Sequence, residues 1–211
     1  MSALPISIGF PTIPRGATGV PVASLRRLAL RGLFALLALL LGGGGYIGYL
    51  TLSGNIHEVI PGELYRSAQP DGETIAAYER RYGIKSILNL RGENGDADWY
   101  REELAASRSL GIAHFDFRMS SKRALNYERS KELLAMMRAA PKPLLIHCMA
   151  GSDRTGLASV LYLQQIAGTS EDEAEGQLSL RFGHLGIPFL SKAYAMDQSW
   201  ERLERHFGLR S

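Results

Sequence analysis

The ten residues HCMAGSDRTG, from His147 to Gly156, sit between an apolar run, PLLI (Pro143 to Ile146), and a helical run, LASVLYLQQI (Leu157 to Ile166). That order predicts a buried strand, a tight loop and a helix N-terminus, and it constrains the fold more than any other stretch. Backbone N–H groups from Met149 through Ala150, Gly151, Ser152 and Asp153 to Arg154 can converge there on one anion, where the helix dipole favours negative charge. Cys148 would lie at the bottom of that cradle. The field that draws in an anion also favours the thiolate, the nucleophilic form of the side chain. Glycines at 151 and 156 suit a tight turn and a close approach to the helix that a side chain would obstruct.

The flanking sequence alternates strand and helix patterns. A helical run from about Gly72 to Tyr82 ends at Gly83, and IKSILNL (Ile84 to Leu90) has the length and β-rich content of a buried strand. RGENGDADW is a loop by composition, and a second helix is expected from Trp99 to Leu110. GIAHFDFRM alternates, with Phe115, Phe117 and Met119 on one face and His114, Asp116 and Arg118 on the other. After the loop SSKRALN, a helix from Tyr127 to Ala140 should turn Leu133, Leu134 and Met137 inward. Two more helices are expected, from Ser170 to Arg181 and from Leu190 to Phe207, the latter carrying Trp200, Leu203 and Phe207. This alternation predicts an α/β fold with a mainly parallel central sheet covered on both faces by helices.

The N-terminal part has a different character. Residues 1–24 are rich in Pro, Gly, Ser and Thr without periodicity, and residues 1–31 together are expected to form a flexible basic tail. Residues 32–52, GLFALLALLLGGGGYIGYLTL, carry no charge and match the length of a single transmembrane helix, with Tyr46 and Tyr49 near one end. Arg15, Arg26, Arg27 and Arg31 precede the run and no acid occurs before Glu58. By the distribution of positive charge the tail should stay cytoplasmic, which would place residues 53–211 on the periplasmic side of a bacterial inner membrane. A cleaved signal peptide would need a shorter apolar core and a small-residue cleavage site. Those four arginines also account for the basic balance: without them the formal net charge of +3 becomes about −1 over the remainder, which argues against nucleic acid as a partner. Cys148 is the single cysteine, so neither an intramolecular disulfide nor a cysteine-based zinc site can form.

His-Cys, five residues, then Arg-Thr resembles the signature loop of the cysteine-dependent protein tyrosine and dual-specificity phosphatases. LYRSAQP (Leu64 to Pro70), ILNLRGE (Ile87 to Glu93) and RFGHLG (Arg181 to Gly186) extend the resemblance to atypical dual-specificity phosphatases of the bacterial and fungal type, over about residues 57–208. It implies a phosphatase-like catalytic domain in residues 53–211 that hydrolyses phosphomonoesters of protein, lipid or inositol through a cysteinyl-phosphate intermediate, with no metal and no cofactor. In that mechanism Cys148 attacks phosphorus, and the planar Arg154 fork binds two phosphoryl oxygens and stabilises the transition-state charge. Thr155 donates to the departing sulfur, while His147 orients the loop from behind.

The general acid breaks the family pattern, because Ser121 falls where an Asp is expected. Asp153 inside the loop, Asp116 on the preceding strand, and Asp96 and Asp98 beyond another strand are the candidates. Arg66 and Arg91 could line the mouth of the site or form ordinary surface ion pairs. Lys122 and Arg123 beside it would favour a polyanion. The missing Asp leaves one alternative of another class, a catalytically silent phosphate-binding scaffold at the membrane.

Overall fold

The computed structural model describes residues 22–209. Its contacts divide the chain between Gly44 and Gly45. Helix α1 (Val22–Leu52) crosses that boundary. It starts ten residues before the expected span, because Leu, Ala and Arg are good helix formers and charge limits only the uncharged run. Residues 1–21, most of the expected tail, lie outside the described residues.

The second unit is built on five strands in the order β1-β2-β5-β3-β4: β1 (His57–Ile60), β2 (Leu64–Ser67), β3 (Ser86–Asn89), β4 (Ala113–Asp116) and β5 (Leu144–His147). The sheet is mixed, which corrects the expectation of a mainly parallel one. β1 pairs antiparallel with β2, whereas β2 with β5, β5 with β3 and β3 with β4 pair in parallel. The cause is local. Pro61, Gly62 and Glu63 join β1 to β2, Gly62 has φ 69°, and so short a connection reverses the chain. Neither strand stands out in the sequence, since β1 opens on His57 and Glu58 and β2 carries Arg66 and Ser67 where a buried strand would be apolar.

Alternate residues of the inner strands feed two separate cores. Leu64, Leu88, Leu144 and Ile146 join one with Leu133, Met137, Leu157, Leu161 and Trp200, from the helices α4 (Tyr127–Ala139), α5 (Asp153–Tyr162) and α7 (Tyr194–His206). Tyr65, Ile87 and Leu145 join the other with Ile75 and Tyr78 of α2 (Gly72–Tyr82), while α3 (Asp98–Ser109) packs along α2. Helices thus cover both faces, and β5 is buried along its whole length at the centre.

Local chemistry sets the helix ends. The Asp71 carboxylate accepts from Thr74 N–H at 2.8 Å to start α2, and Gly83, with φ 68°, closes it. α5 runs on through a π-helical turn, Leu163–Ala167. Two helices are shorter than expected. α6 (Glu171–Glu175) stops at Gly176, and the Gln177 carbonyl next to it is taken by the Arg66 guanidinium at 2.9 Å. α7 begins at Tyr194 rather than Leu190, because Pro188 and the positive φ of Phe189 keep the preceding segment out of a helix.

Candidate active site

β5 ends at His147, whose register partners are Ser67 of β2 and Asn89 of β3, so the loop that follows leaves the carboxyl edge of the sheet between two neighbours. Cys148 is buried directly behind it. The next four carbonyls are all turned outward onto other parts of the chain. Met149 O accepts from Gln69 N–H at 3.3 Å, and Ala150 O from Asn55 Nδ2 at 2.9 Å. Gly151 O and Ser152 O accept from Arg66 Nη2 at 2.8 and 3.2 Å. Among the described residues, no backbone N–H from Met149 to Arg154 donates to a protein acceptor. With the carbonyls held away, these N–H groups are left without a protein partner.

Gly151 has φ 71°, and a Cβ there would lie 2.6 Å from both Ala68 N and Ser67 C. No side chain fits between the loop and the end of β2. At Gly156 a Cβ would come within 2.8 Å of Leu178 Cδ2 and 2.9 Å of Gln177 O, so α5 approaches the following segment by the same device.

Two buried charges hold the loop and the strand end before it: Arg66, expected at the mouth or in a surface ion pair, and Glu103, which the sequence does not single out. Arg66 is fully buried and therefore neither lines the mouth nor makes a surface ion pair. Its Nη1 donates to Gln177, its Nη2 to the loop carbonyls, and its guanidinium lies 3.9 Å from the Phe182 ring centre. Burial pulls it down to about 9, partly opposed by the nearby Cys148, and it stays charged at neutral pH. Glu103, equally buried, accepts from His147 Nε2 at 3.0 Å and from His114 Nε2 at 2.7 Å, and also from Gln69. Burial alone would raise its carboxyl, but the hydrogen bonds from His114 and His147 outweigh it and hold the group at about 2. Gln69 in turn accepts from Arg91 at 2.9 Å, and Arg91 stacks 3.5 Å from the centre of the Trp99 indole. The available signal for Glu103 was its position: Tyr100, Glu103 and Ser107 are the buried residues of α3, at helical spacing.

Arg154 is held loosely, by bonds of 3.4 Å to Leu90 O and 3.5 Å to Met119 O, and its buried Nε has no partner. It lines an open pocket of about 730 Å³ together with Arg91, Arg118, Lys122, Arg123 and Arg129, and among the described residues no acid lines it. Ser121 also lines this pocket, in the place where an acid was expected. Thr155 Oγ1 is buried without a partner, so its expected bond to the Cys148 sulfur is not made here and the hydroxyl remains free to donate.

The four candidate acids lie elsewhere. Asp153 Oδ1 pairs with His184 Nδ1 at 2.9 Å, and His184 Nε2 pairs with Asp197 of α7 at 3.0 Å. Asp116 accepts from Asn89 and from the Tyr100 hydroxyl. Asp98 is exposed and paired with Arg101, and Asp96 is exposed.

A sequence model described as the tyrosine phosphatase family matches residues 43–175. The chain belongs to that family. Two characterised proteins match part of it. Inositol diphosphatase SIW14 of Saccharomyces cerevisiae is 32% identical over 112 residues, which are 47% of this chain and 38% of SIW14. Dual specificity protein phosphatase TpbA of Pseudomonas aeruginosa is 27% identical over 122 residues, 57% of this chain and 51% of TpbA. The chain therefore spans about half or less of the relatives it matches. Among solved structures, the SIW14 core catalytic domain in complex with citrate superposes with a TM-score of 0.54 and 25% identity over 73% of this chain and 93% of that one. TpbA gives 0.52 and 23%, over 74% and 92%. Family membership thus agrees with the resemblance carried by the loop, and the α/β phosphatase fold is shared.

Proposed function

We propose that this family member is a membrane-anchored phosphatase that works through a cysteinyl-phosphate intermediate at Cys148, preferring polyanionic substrates whose leaving group is a weak base. The observation that carries the reading is the loop: four carbonyls are tied back by Gln69, Asn55 and Arg66, leaving the N–H groups around buried Cys148 unspent. The Cys148 thiolate attacks phosphorus in line, a sulfur–phosphorus bond forms and the bond to the leaving oxygen breaks. Arg154 and the loop N–H groups hold the three equatorial oxygens. Water then attacks the phosphocysteine, Thr155 donates its hydroxyl hydrogen bond to the departing sulfur, and inorganic phosphate leaves. Buried His147, fixed by Glu103, positions the strand end that carries Cys148.

The leaving group sets the substrate class. An alkyl phosphate releases a strongly basic alkoxide that needs a proton from a positioned acid. Among the described residues no carboxylate lines the pocket at Arg154, while six cationic side chains do. Those features suit a phosphoanhydride, whose leaving phosphate needs no proton, on a multiply charged scaffold. SIW14, named an inositol diphosphatase, is consistent with this class. The test compares the detergent-solubilised chain on a diphosphoinositol phosphate, a phosphotyrosyl peptide, a phosphatidyl phosphate and a simple alkyl phosphate. The anhydride should be cleaved fastest and the alkyl phosphate slowest. Equal rates on all four would sink the leaving-group argument, and unchanged turnover by Cys148→Ser would sink the mechanism. Vanadate binding without turnover on any substrate would favour the silent scaffold instead.

Anchoring rests on α1. Residues 26–52 form one long, mostly apolar helix with a largely exposed surface. Arg15, Arg26, Arg27 and Arg31, all before the uncharged run that starts at Gly32, support an N-terminus in the cytoplasm and a catalytic unit on the periplasmic side. A reporter enzyme fused after Ser211 should be active only outside the cytoplasm; activity inside it would overturn the orientation.

A further inference from the structure

The segment between α6 and α7 carries apolar side chains that the rest of the unit leaves uncovered. Leu180, Leu185, Phe189 and Leu190 are 65, 49, 106 and 82% exposed. A lone exposed leucine is ordinary, but four large apolar side chains within eleven residues mark a surface made for something other than water. Phe189 is also held at φ 65°, a conformation a bulky residue adopts rarely and one that keeps it out of a helix. The intervening chain is not loose. His184 is buried between Asp153 and Asp197, and a Cβ on Gly186 would strike the Asp197 carboxylate. The apolar side chains therefore project from a pinned segment.

What covers them is indicated by what the segment joins. Its first residues pack on the last turns of α1: the Tyr46 hydroxyl donates to Arg181 O at 2.6 Å, and Leu50 lies against Gly183. Those same turns expose Ile47, Tyr49 and Leu52. The outward apolar surface of the helix thus continues onto the segment. Arg181 and Lys192, both exposed, bracket it, and no acid occurs from Gly176 to Met196, a charge pattern that suits anionic lipid headgroups.

We propose that Leu180 to Leu190 is a membrane-docking segment that inserts Phe189, Leu190 and Leu185 into the lipid interface beside the end of α1. It would hold the catalytic unit at a fixed height and orientation, because the Asn55 amide that binds Phe182 O, within this segment, also binds the Ala150 carbonyl of the active-site loop. This rests on the proposal that α1 is a membrane anchor, and the experiment separates the two.

In the full chain carrying Cys148→Ser, one environment-sensitive fluorophore is attached after Phe189→Cys, Leu190→Cys, Leu36→Cys or Glu132→Cys. Each protein is reconstituted into vesicles of phosphatidylcholine and phosphatidylglycerol. The expected result is severalfold stronger quenching by brominated lipid at positions 189 and 190 than at 132 on α4, and strong quenching at position 36. Quenching at 36 but iodide access at 189 and 190 equal to that at 132 would overturn the docking segment and leave the anchor standing. No lipid quenching at 36 would overturn both. Shielding at 189 that vanishes as the protein is diluted in lipid would identify a second copy of the chain as the occupant and overturn the proposal as well.

Discussion

Replacing Glu103 by glutamine removes a charge and almost no volume, so its effect isolates what the buried carboxylate does. In the folded chain the group sits at about 2 against an ordinary 4.5, the depression coming from hydrogen bonds with His114 and His147 that outweigh burial. That depression corresponds to about 3 kcal/mol of folding stability, on the order of 1.4 kcal/mol for each pH unit. The sign follows from proton binding. Between about pH 2 and 4.5 the unfolded chain holds a proton that the folded chain does not, so stability rises with pH through that window. The contribution is complete above it and is lost as the pH falls through about 2. Of a typical total near 5 to 15 kcal/mol, a loss of about 3 is large.

Urea unfolding of the detergent-solubilised chain, followed through Trp99 and Trp200, measures it. At pH 7 Glu103→Gln should be less stable by about 3 kcal/mol, and the gap should close as the pH is lowered from 5 towards 2. The same change takes the charged partner from His147 Nε2, so kcat should fall while KM moves little. A gap below about 1 kcal/mol at pH 7, or one that stays constant down to pH 3, would refute the assignment of Glu103 as the ionised centre of this network.

Gly151→Ala should cost about 1–2 kcal/mol for the left-handed backbone and a further ~1–3 for the collision with the end of β2; unchanged urea stability would mean that the loop is not pressed against Ser67 and Ala68. Arg154→Lys should lower kcat by at least about a thousandfold with the fold intact by circular dichroism, since an ammonium cannot span two phosphoryl oxygens. Lys122→Glu combined with Arg123→Glu should raise KM for a polyanionic substrate roughly tenfold at low salt, an effect that shrinks as salt is added, while hydrolysis of a small aryl phosphate is spared. Burial alone would lower His184, but its bonds to Asp153 and Asp197 raise it above the ordinary 6.5; its contribution to stability is therefore complete below about 6.5 and fades as the pH rises through the raised value, and His184→Gln should flatten that decline in thermal melts taken across the window.

The features legible in the sequence are those that local spacing determines. HCMAGSDRTG and its flanks announce a strand, a tight loop and a helix because the parts are contiguous, and the helices α2, α3 and α4 appear near where the periodicity places them. β1 and β2 escape because HEVI and LYRS are neither apolar runs nor alternating ones, and because the role of β2 is carried by one polar side chain. Arg66 faces inward from β2 and reaches Gly151 and Ser152, 85 and 86 positions away. Glu103 reaches His147 across 44 positions. The spacing around Glu103 and the motif around Arg66 mark each residue only weakly, and only the fold brings them to the loop and to the strand end before it.

That division explains why the sequence leaves the acid open between four aspartates. In the proposed mechanism nucleophile and phosphate clamp share one loop, so spacing alone brings Cys148 and Arg154 together. A proton donor has to come from a separate element, and its placement depends on the packing of that element against the loop. Asp153 lies in the loop by sequence, yet as the first residue of α5 its carboxylate turns to His184, and through it to Asp197 on α7. Proximity in sequence to Arg154 therefore does not by itself aim it at the leaving oxygen. Asp153→Asn separates the roles. Slower cleavage of alkyl phosphates with aryl phosphates spared would make it the donor, whereas an equal change on both, together with a flattened His184 titration, would make it a strut for the segment from Arg181 to Gly186.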